Sequence, residues 1–310
     1  MKVAFFGTSD RSIPILESLD NNFDLELCIT KSDRKVGRKH TIKECGVKTW
    51  AKENNIGYIE ISQFKETETK EIIEELENKN VEYGIVADFS FMIPDKIIHW
   101  FNNKFINIHF SLLPKYRGAS PVQFAILNGD EHSGISYHLT ASALDSGSII
   151  DQIKYIMPQK PAEEIYKEMF KLASEHLSEV LKKYDKGILK LKPQNETEAT
   201  YTYSPSHPKS TLIYKEDAEI NWTKNIYEIE RQVRAYNSWP IAWTTVEKLE
   251  NNVKLCNPSM FLKDNLKKHA RLKIFSAAIT DGKIEPQMVQ LEGKNKMDWN
   301  SFVNGYSKAS

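Results

Sequence analysis

The sequence predicts an α/β protein in two parts: a Rossmann-like, mostly parallel sheet catalytic domain over residues 1–188, a linker at 189–207, and a small OB-like β-barrel over 208–310. Two observations predict it. Up to about residue 185, short apolar runs rich in β-formers alternate with stretches of helical period. Those runs are continuous rather than alternating, the pattern of strands buried on both faces. Beyond Pro208 several short β-like runs are separated by turn signals, with one evident helix, which suits a small closed sheet better than further βα units.

The first strand is Lys2–Phe6, closed by Gly7 and followed by a helix carrying Ile13, Ile15, Leu16 and Leu19. A strand at 25–29 and a short helix at 47–53 repeat the unit, then a strand at 58–61 and a helix at 67–78. An almost wholly apolar strand at 84–87 precedes a helix from Pro94, and 105–108 is the next strand. Ser120 and Pro121 read as N-cap and first residue of a helix reaching Asn128. Strands at 134–139 and 148–157 and a long amphipathic helix at 161–184 complete this part. The polar, aperiodic stretch that follows reads as the linker. In the second part a helix at 226–235 is followed by β-like runs at 242–246, 253–255, 272–277 and 287–289.

A length of 310 residues favours two domains, and 27% charged with 11% aromatic residues describes a globular chain with a real core. Cys28, Cys45 and Cys256 have neither metal-knuckle nor disulfide spacing, so a reducing compartment is expected. No signal segment or long apolar run is present, and the chain is read as a cytoplasmic monomer without membrane contact. The total of 42 Lys+Arg against 42 Asp+Glu is a cancellation. Residues 201–310 carry 16 basic against 12 acidic side chains, so the excess positive charge lies in the second part.

Gly7-Thr8-Ser9-Asp10 stands where a dinucleotide-binding fold places three glycines, but only one is present, which argues against NAD. A tight turn capped by Asp10 or Ser12 is the expectation. No His or Cys pattern at metal spacing and no phosphate-binding GxxxxGK[ST] loop occurs, so neither metal nor ATP is predicted.

The chemistry concentrates at Asn107-Ile108-His109. Residues two apart on a strand share a face, so the amide and the imidazole point the same way, at the C-terminal strand edge where open α/β sheets carry their sites. An amide donor beside an imidazole suits stabilisation of an oxyanion and proton movement near neutral pH. Asp145, in the turn before a later strand, could orient that imidazole and favour its charged form. An NxH on a strand is, taken alone, more often a hydrogen-bonded structural pair; the loop Ser111-Leu112-Leu113-Pro114-Lys115-Tyr116-Arg117-Gly118-Ala119 leading into a helix favours a site. His138 reads as a satisfied structural histidine next to the Asp145 turn. Trp222, Tyr236, Trp239 and Trp243 read as core of the second part.

Residues 107–121, Asn-Ile-His-Phe-Ser-Leu-Leu-Pro-Lys-Tyr-Arg-Gly-Ala-Ser-Pro, resemble the signature of the 10-formyltetrahydrofolate-dependent formyltransferases, and Leu144-Asp145-Ser146-Gly147 resembles their second segment. Residues 33–39, 218–222, 229–240 and 289–294 resemble the branch of that family acting on methionyl-tRNA, so the likeness runs from residue 1 to Tyr306. The resemblance implies formyl transfer from 10-formyltetrahydrofolate, as donor co-substrate, to the free amine of initiator methionyl-tRNA. It implies that Asn107, His109 and Asp145 are catalytic and that Ser111, Leu112, Leu113 and Pro114 line the folate pocket. Arg34, Arg38, Lys39 and Lys43 would then contact tRNA rather than form a solvated loop, with Lys267, Lys268 and Arg271, beside Lys263 and Lys273, gripping the phosphate backbone. Departures from the family pattern stand at Lys35-Val36, Phe89-Ser90, Ala141 and Ala143, the last two in the loop expected around the pterin. Two alternatives share parts of this pattern: an amino-sugar-nucleotide N-formyltransferase, which has no use for the basic loop, and a non-catalytic tRNA- or folate-binding homologue.

Overall fold

The computed structural model describes residues 1–36, 41–252 and 267–307, and for 34–36 and 41–43 the backbone only. In chain order the elements are β1 (Lys2–Phe6), α1 (Ile13–Asn22), β2 (Asp24–Lys31), β3 (Arg34–Val36), β4 (Thr41–Lys43), α2 (Gly46–Glu53), β5 (Gly57–Ile61), α3 (Glu66–Asn78), β6 (Tyr83–Val86), α4 (Asp95–Phe101), β7 (Phe105–His109), α5 (Pro121–Asn128), β8 (His132–Leu139), β9 (Ile149–Ile156) and α6 (Ala162–Asp185). They are followed by α7 (Ile226–Ala235), β10 (Ala242–Thr245), α8 (Val246–Asn251), β11 (Arg271–Thr280), β12 (Lys283–Leu291), β13 (Met297–Asp298) and α9 (Trp299–Tyr306).

The chain forms two compact units, Met1–Arg117 with Ser133–Tyr155 and Tyr166–Thr200, and Gly118–His132 with Ile156–Ile165 and Tyr201–Ser310. The first holds a seven-stranded sheet in the order β5-β2-β1-β6-β7-β8-β9. From β5 to β7 the pairings are parallel, and β8 runs antiparallel to β7. Continuous apolar runs dictate this, because alternate residues enter opposite faces and both faces are covered. Ala4 and Phe6 of β1 pack with Ile72, Leu76, Ile97 and Phe101 of α3 and α4, while Val3 and Phe5 are equally buried. The turn after β1 is capped by Ser9, whose hydroxyl accepts from the Arg11 amide. Asp10 reaches instead to the Gly46 amide at the start of α2 (3.1 Å).

The segment expected as a linker is pinned chain over its first part. Lys192 forms a two-way backbone bridge with Ile149, and Thr200 donates its amide to the Pro114 carbonyl. The units also depart from chain order, because α5 packs on α7 in the second unit. There the Arg231 guanidinium donates to the Leu127 carbonyl (3.2 Å), a contact between residues 104 positions apart that no local pattern signals.

The second unit carries the antiparallel sheet β10-β11-β12-β13. Asn225 and Glu228 form a reciprocal capping box at the start of α7, the sequence signature of a helix start. Ile229 and Val233 from α7 bury against Leu272, Ile274, Val289, Trp299 and Phe302. The expected strand at 253–255 and Cys256 lie outside the described residues. Of the four aromatic residues assigned to this core, Trp222 and Tyr236 are buried, but Trp239 is 55% exposed. Trp243 lies half-buried, with the Arg271 guanidinium 4.3 Å from its ring centre. Among the described residues no helix is long and apolar enough to cross a membrane.

Candidate active site

Strand β7 delivers Asn107 and His109 to one face at its C-terminal end, as its period of two requires. Register then sets their neighbours: Asn107 lies opposite His138 and His109 opposite Ser136 on β8. Asp145 enters from the turn between β8 and β9 in a left-handed conformation, φ 47°, which Asp tolerates better than most residues. Its carboxylate sits between the two predicted partners. Oδ1 accepts from Nδ2 of Asn107 (3.1 Å), and Oδ2 lies 3.5 Å from Nδ1 of His109.

The hydrogen bonds fix the proton positions. Nε2 of His109 lies 2.9 Å from the Tyr116 carbonyl, which can only accept, so Nε2 carries a hydrogen. Nδ1 of His138 faces the Leu139 carbonyl (2.9 Å) and must donate, which leaves its Nε2 as acceptor for the second amide hydrogen of Asn107 (3.1 Å). Both hydrogens of the Asn107 amide are therefore engaged, one by a carboxylate and one by a neutral imidazole. That is more constraint than an exposed oxyanion donor would show.

His138 is satisfied at both nitrogens, as expected of a structural histidine, yet it also borders the site at 3.7 Å from Asp145. Burial in the sheet lowers its pKa from 6.5 to about 4, against the opposing pull of Asp145. An unfolded chain therefore binds a proton here between pH 6.5 and 4 that the folded chain refuses. Stability from this group is present in full above 6.5 and lost as pH falls through that window, on the order of 3 kcal/mol in all. The urea midpoint of His138→Gln should accordingly fall less than that of the wild type between pH 7 and 4.5; equal losses would contradict this.

The loop after β7 is tied down along its length. The four carbonyls of Ser111, Leu112, Leu113 and Pro114 accept from Ser136 Oγ (2.7 Å), the Lys115 amide (3.1 Å), Gln152 Nε2 (3.0 Å) and the Thr200 amide (3.2 Å). Ser111 Oγ donates to the Lys115 carbonyl, and the Leu113 amide donates to Ser136 Oγ. Ser111 and Leu113 are buried and Leu112 and Pro114 half-buried, so the loop presents a preset, largely apolar shape whose carbonyls already have partners. Ser136 and Gln152 were not read from sequence as site residues. Ser136 stands two residues before His138 on the same strand face, a signal that strand period alone contains.

Of the basic stretch, residues 34–36 and 41–43 pair as two antiparallel strands, with Arg34 and Lys43 in register. Lys48 anchors its root through ion pairs to Asp33 (2.8 Å) and Glu60 (2.9 Å), which push its pKa up. Arg38 and Lys39 lie outside the described residues, as does Lys263. In the second unit Lys267, Lys268, Arg271 and Lys273 are exposed, and on β11 the last two alternate with buried Leu272 and Ile274. Among the described residues no group of three or more His, Cys, Asp or Glu could hold a metal.

An amide, an imidazole and a carboxylate stand together at the C-terminal edge of a parallel sheet, an arrangement that can stabilise an oxyanion and move a proton, the two needs of acyl transfer. Residues 1–181 match the family model described as formyl transferase, and residues 212–307 match the formyl transferase C-terminal domain. The chain belongs to the formyltransferase family. Among curated relatives, the methionyl-tRNA formyltransferase of Coxiella burnetii (strain CbuK_Q154) is 31% identical over 312 residues, covering 99% of this chain and 96% of the relative. That of Listeria innocua is 30% identical over 98% of this chain and 95% of its own length. Two solved structures share the fold: a methionyl-tRNA formyltransferase from Clostridium thermocellum (TM-score 0.59, 18% identity, 94% of this chain and 98% of that one) and an N-formyltransferase from Helicobacter canadensis in complex with folinic acid and dTDP-3-aminofucose (TM-score 0.61, 22% identity, 99% and 97%).

Proposed function

We propose that this chain transfers a formyl group from 10-formyltetrahydrofolate to the free α-amine of methionine on initiator tRNA. The observation that carries the reading is Asp145, whose carboxylate joins Asn107 and holds its other oxygen toward His109. The neutral amine would attack the formyl carbon, forming one C–N bond and a tetrahedral oxyanion. Collapse breaks the bond to the folate nitrogen, and the amine proton ends on that nitrogen by way of a side chain or a positioned water.

His109 donates from Nε2 to Tyr116 and turns Nδ1 toward Oδ2 of Asp145, so the reacting atoms would meet the ring on its Nδ1 side, next to that carboxylate. Asn107 serves the oxyanion by redirecting one amide hydrogen. The bond to His138 is the one that gives, because a carboxylate holds a hydrogen bond more strongly than a neutral imidazole does. The folate is read as lying along the preset loop Ser111 to Pro114, with Leu112 and Pro114 supplying apolar contact. The first unit is read as the catalytic part, and the C-terminal unit as a tRNA-holding part through Lys267, Lys268 and Arg271, together with the basic stretch from Arg34 to Lys43.

The deciding experiment offers the protein 10-formyltetrahydrofolate with methionyl-initiator tRNA beside amino sugar nucleotides. Formylation of the tRNA alone is expected, and formylation of the sugar alone would overturn the reading. Phosphate neutralisation makes binding salt-dependent, so Lys267→Ala and Lys268→Ala should each reduce the slope of log affinity against log salt by about 1. An unchanged slope in both would remove the C-terminal cluster from the interface.

A further inference from the structure

The two residues that set the imidazole of His109 both occupy backbone conformations that side chains rarely adopt. Tyr116, whose carbonyl takes Nε2–H, has φ 61°, and Asp145, beside Nδ1, has φ 47°. Such conformations persist only where surrounding structure over-determines them. Here one short segment, residues 192–200, engages both.

At its far end Thr200 holds the chain around Tyr116 at three points. Its amide donates to the Pro114 carbonyl (3.2 Å), its hydroxyl accepts from the Tyr116 amide (2.8 Å), and its carbonyl accepts from the Arg117 amide (2.8 Å). At its near end Gln194 spends both side-chain hydrogens on the Asp145 turn, donating to the carbonyls of Asp145 (2.8 Å) and Gly147 (2.7 Å). The two ends are joined through Arg117, whose side chain is 1% exposed. Its guanidinium donates twice to Gln194 Oε1 (3.1 and 2.8 Å) and in a fork to both oxygens of Glu196 (2.9 and 2.7 Å). A planar fork against a carboxylate fixes direction as well as distance.

We propose that this strap is a positioning device for the catalytic imidazole, with Gln194 and Arg117 as its positioning residues. They touch no reacting atom. Gln194 orients the Asp145 turn, Arg117 orients Gln194, and Thr200 holds the carbonyl that fixes the ring of His109. The inference rests on the reading of Asn107, His109 and Asp145 as the catalytic set.

The test compares Gln194→Ala and Gln194→Glu in the full chain. Gln194→Glu keeps the size and the acceptor for Arg117 but removes both hydrogens given to the Asp145 turn, so a packing role and a donor role separate. Because a displacement of about 1 Å in a catalytic group can cost a hundredfold, both variants should lose roughly ten- to a hundredfold in kcat, with KM for the tRNA within about twofold and an altered pH–rate profile. Backbone amides at 143–147 should exchange faster in both variants. Near-wild-type kcat in Gln194→Glu, or exchange in that turn unchanged in both variants, would overturn the proposal. Should the wild type fail to formylate any amine, the reading of the site falls, and the exchange measurement still decides whether Gln194 holds the turn.

Discussion

Asn107→Ala and His109→Ala are each expected to lower turnover in formyl transfer by about a hundred- to a thousandfold, the usual cost of one oxyanion-stabilising donor in acyl transfer. The two variants should fail for different reasons. Asn107 is a junction: its amide binds Asp145 and His138 at once, so its loss leaves the carboxylate one partner short and frees Nε2 of His138. His109 is more nearly a single-purpose group, held by one hydrogen bond to Tyr116 and approached by Asp145 at 3.5 Å. Its removal should leave Asn107 in place. Affinity for tRNA should stay within about twofold in both variants, because affinity for nucleic acid comes chiefly from phosphate contacts made elsewhere. Single-turnover formylation with saturating tRNA, alongside a filter-binding titration, checks both halves. Near-full activity in either variant would refute the assigned mechanism.

The second large effect is expected at Gly147, which a local reading would treat as an ordinary turn residue. A Cβ built there would overlap the carbonyl oxygen of Leu139, a backbone atom with no rotamer to escape into. Leu139 is held in turn by its amide, which donates a hydrogen bond to the Ser148 carbonyl (2.9 Å), and the Gly147 carbonyl is held by Gln194. Gly147→Ala must therefore push apart the end of β8 and the Asp145 turn. A loss of about 1 to 3 kcal/mol is expected, as for an overpacked site, together with a fall in turnover because Asp145 stands two residues away. Gly305→Ala is the control: nothing lies within 4 Å of a Cβ there, it sits in α9, and alanine should be neutral or slightly stabilising. Equal unfolding temperatures for the two variants would show that the close approach at Gly147 does not matter.

Most of the frame was legible because it follows from local period. The continuous apolar run of β1 announces a buried parallel strand, and Asn225 with Glu228 announces the start of α7. The shared face of Asn107 and His109 was legible for the same reason, since they are two apart on one strand. The exposure of Trp239 was not, because composition ranks tryptophan as core material whereas the turn at 237–240 carries it outward. Nor was the nature of residues 189–200, whose polar, aperiodic composition reads as linker. Gln194, Glu196 and Thr200 are polar because they bind backbone carbonyls, a guanidinium and amides, rather than water alone.

The sequence by itself determined the α/β class, the strand that carries the amide and the imidazole, and the aspartate that completes them, since each depends on spacing within a few residues or on a motif. Only the tertiary structure decided how that set is held. The pairing of Asn107 with His138, the fastening of the loop after β7 by Ser136 and Gln152, and the fastening of Asp145 by Gln194 join positions 31, 25, 39 and 49 residues apart. Hydrogen-bond partners at such separations are selected by sheet register and chain return, and no periodicity along the chain encodes them.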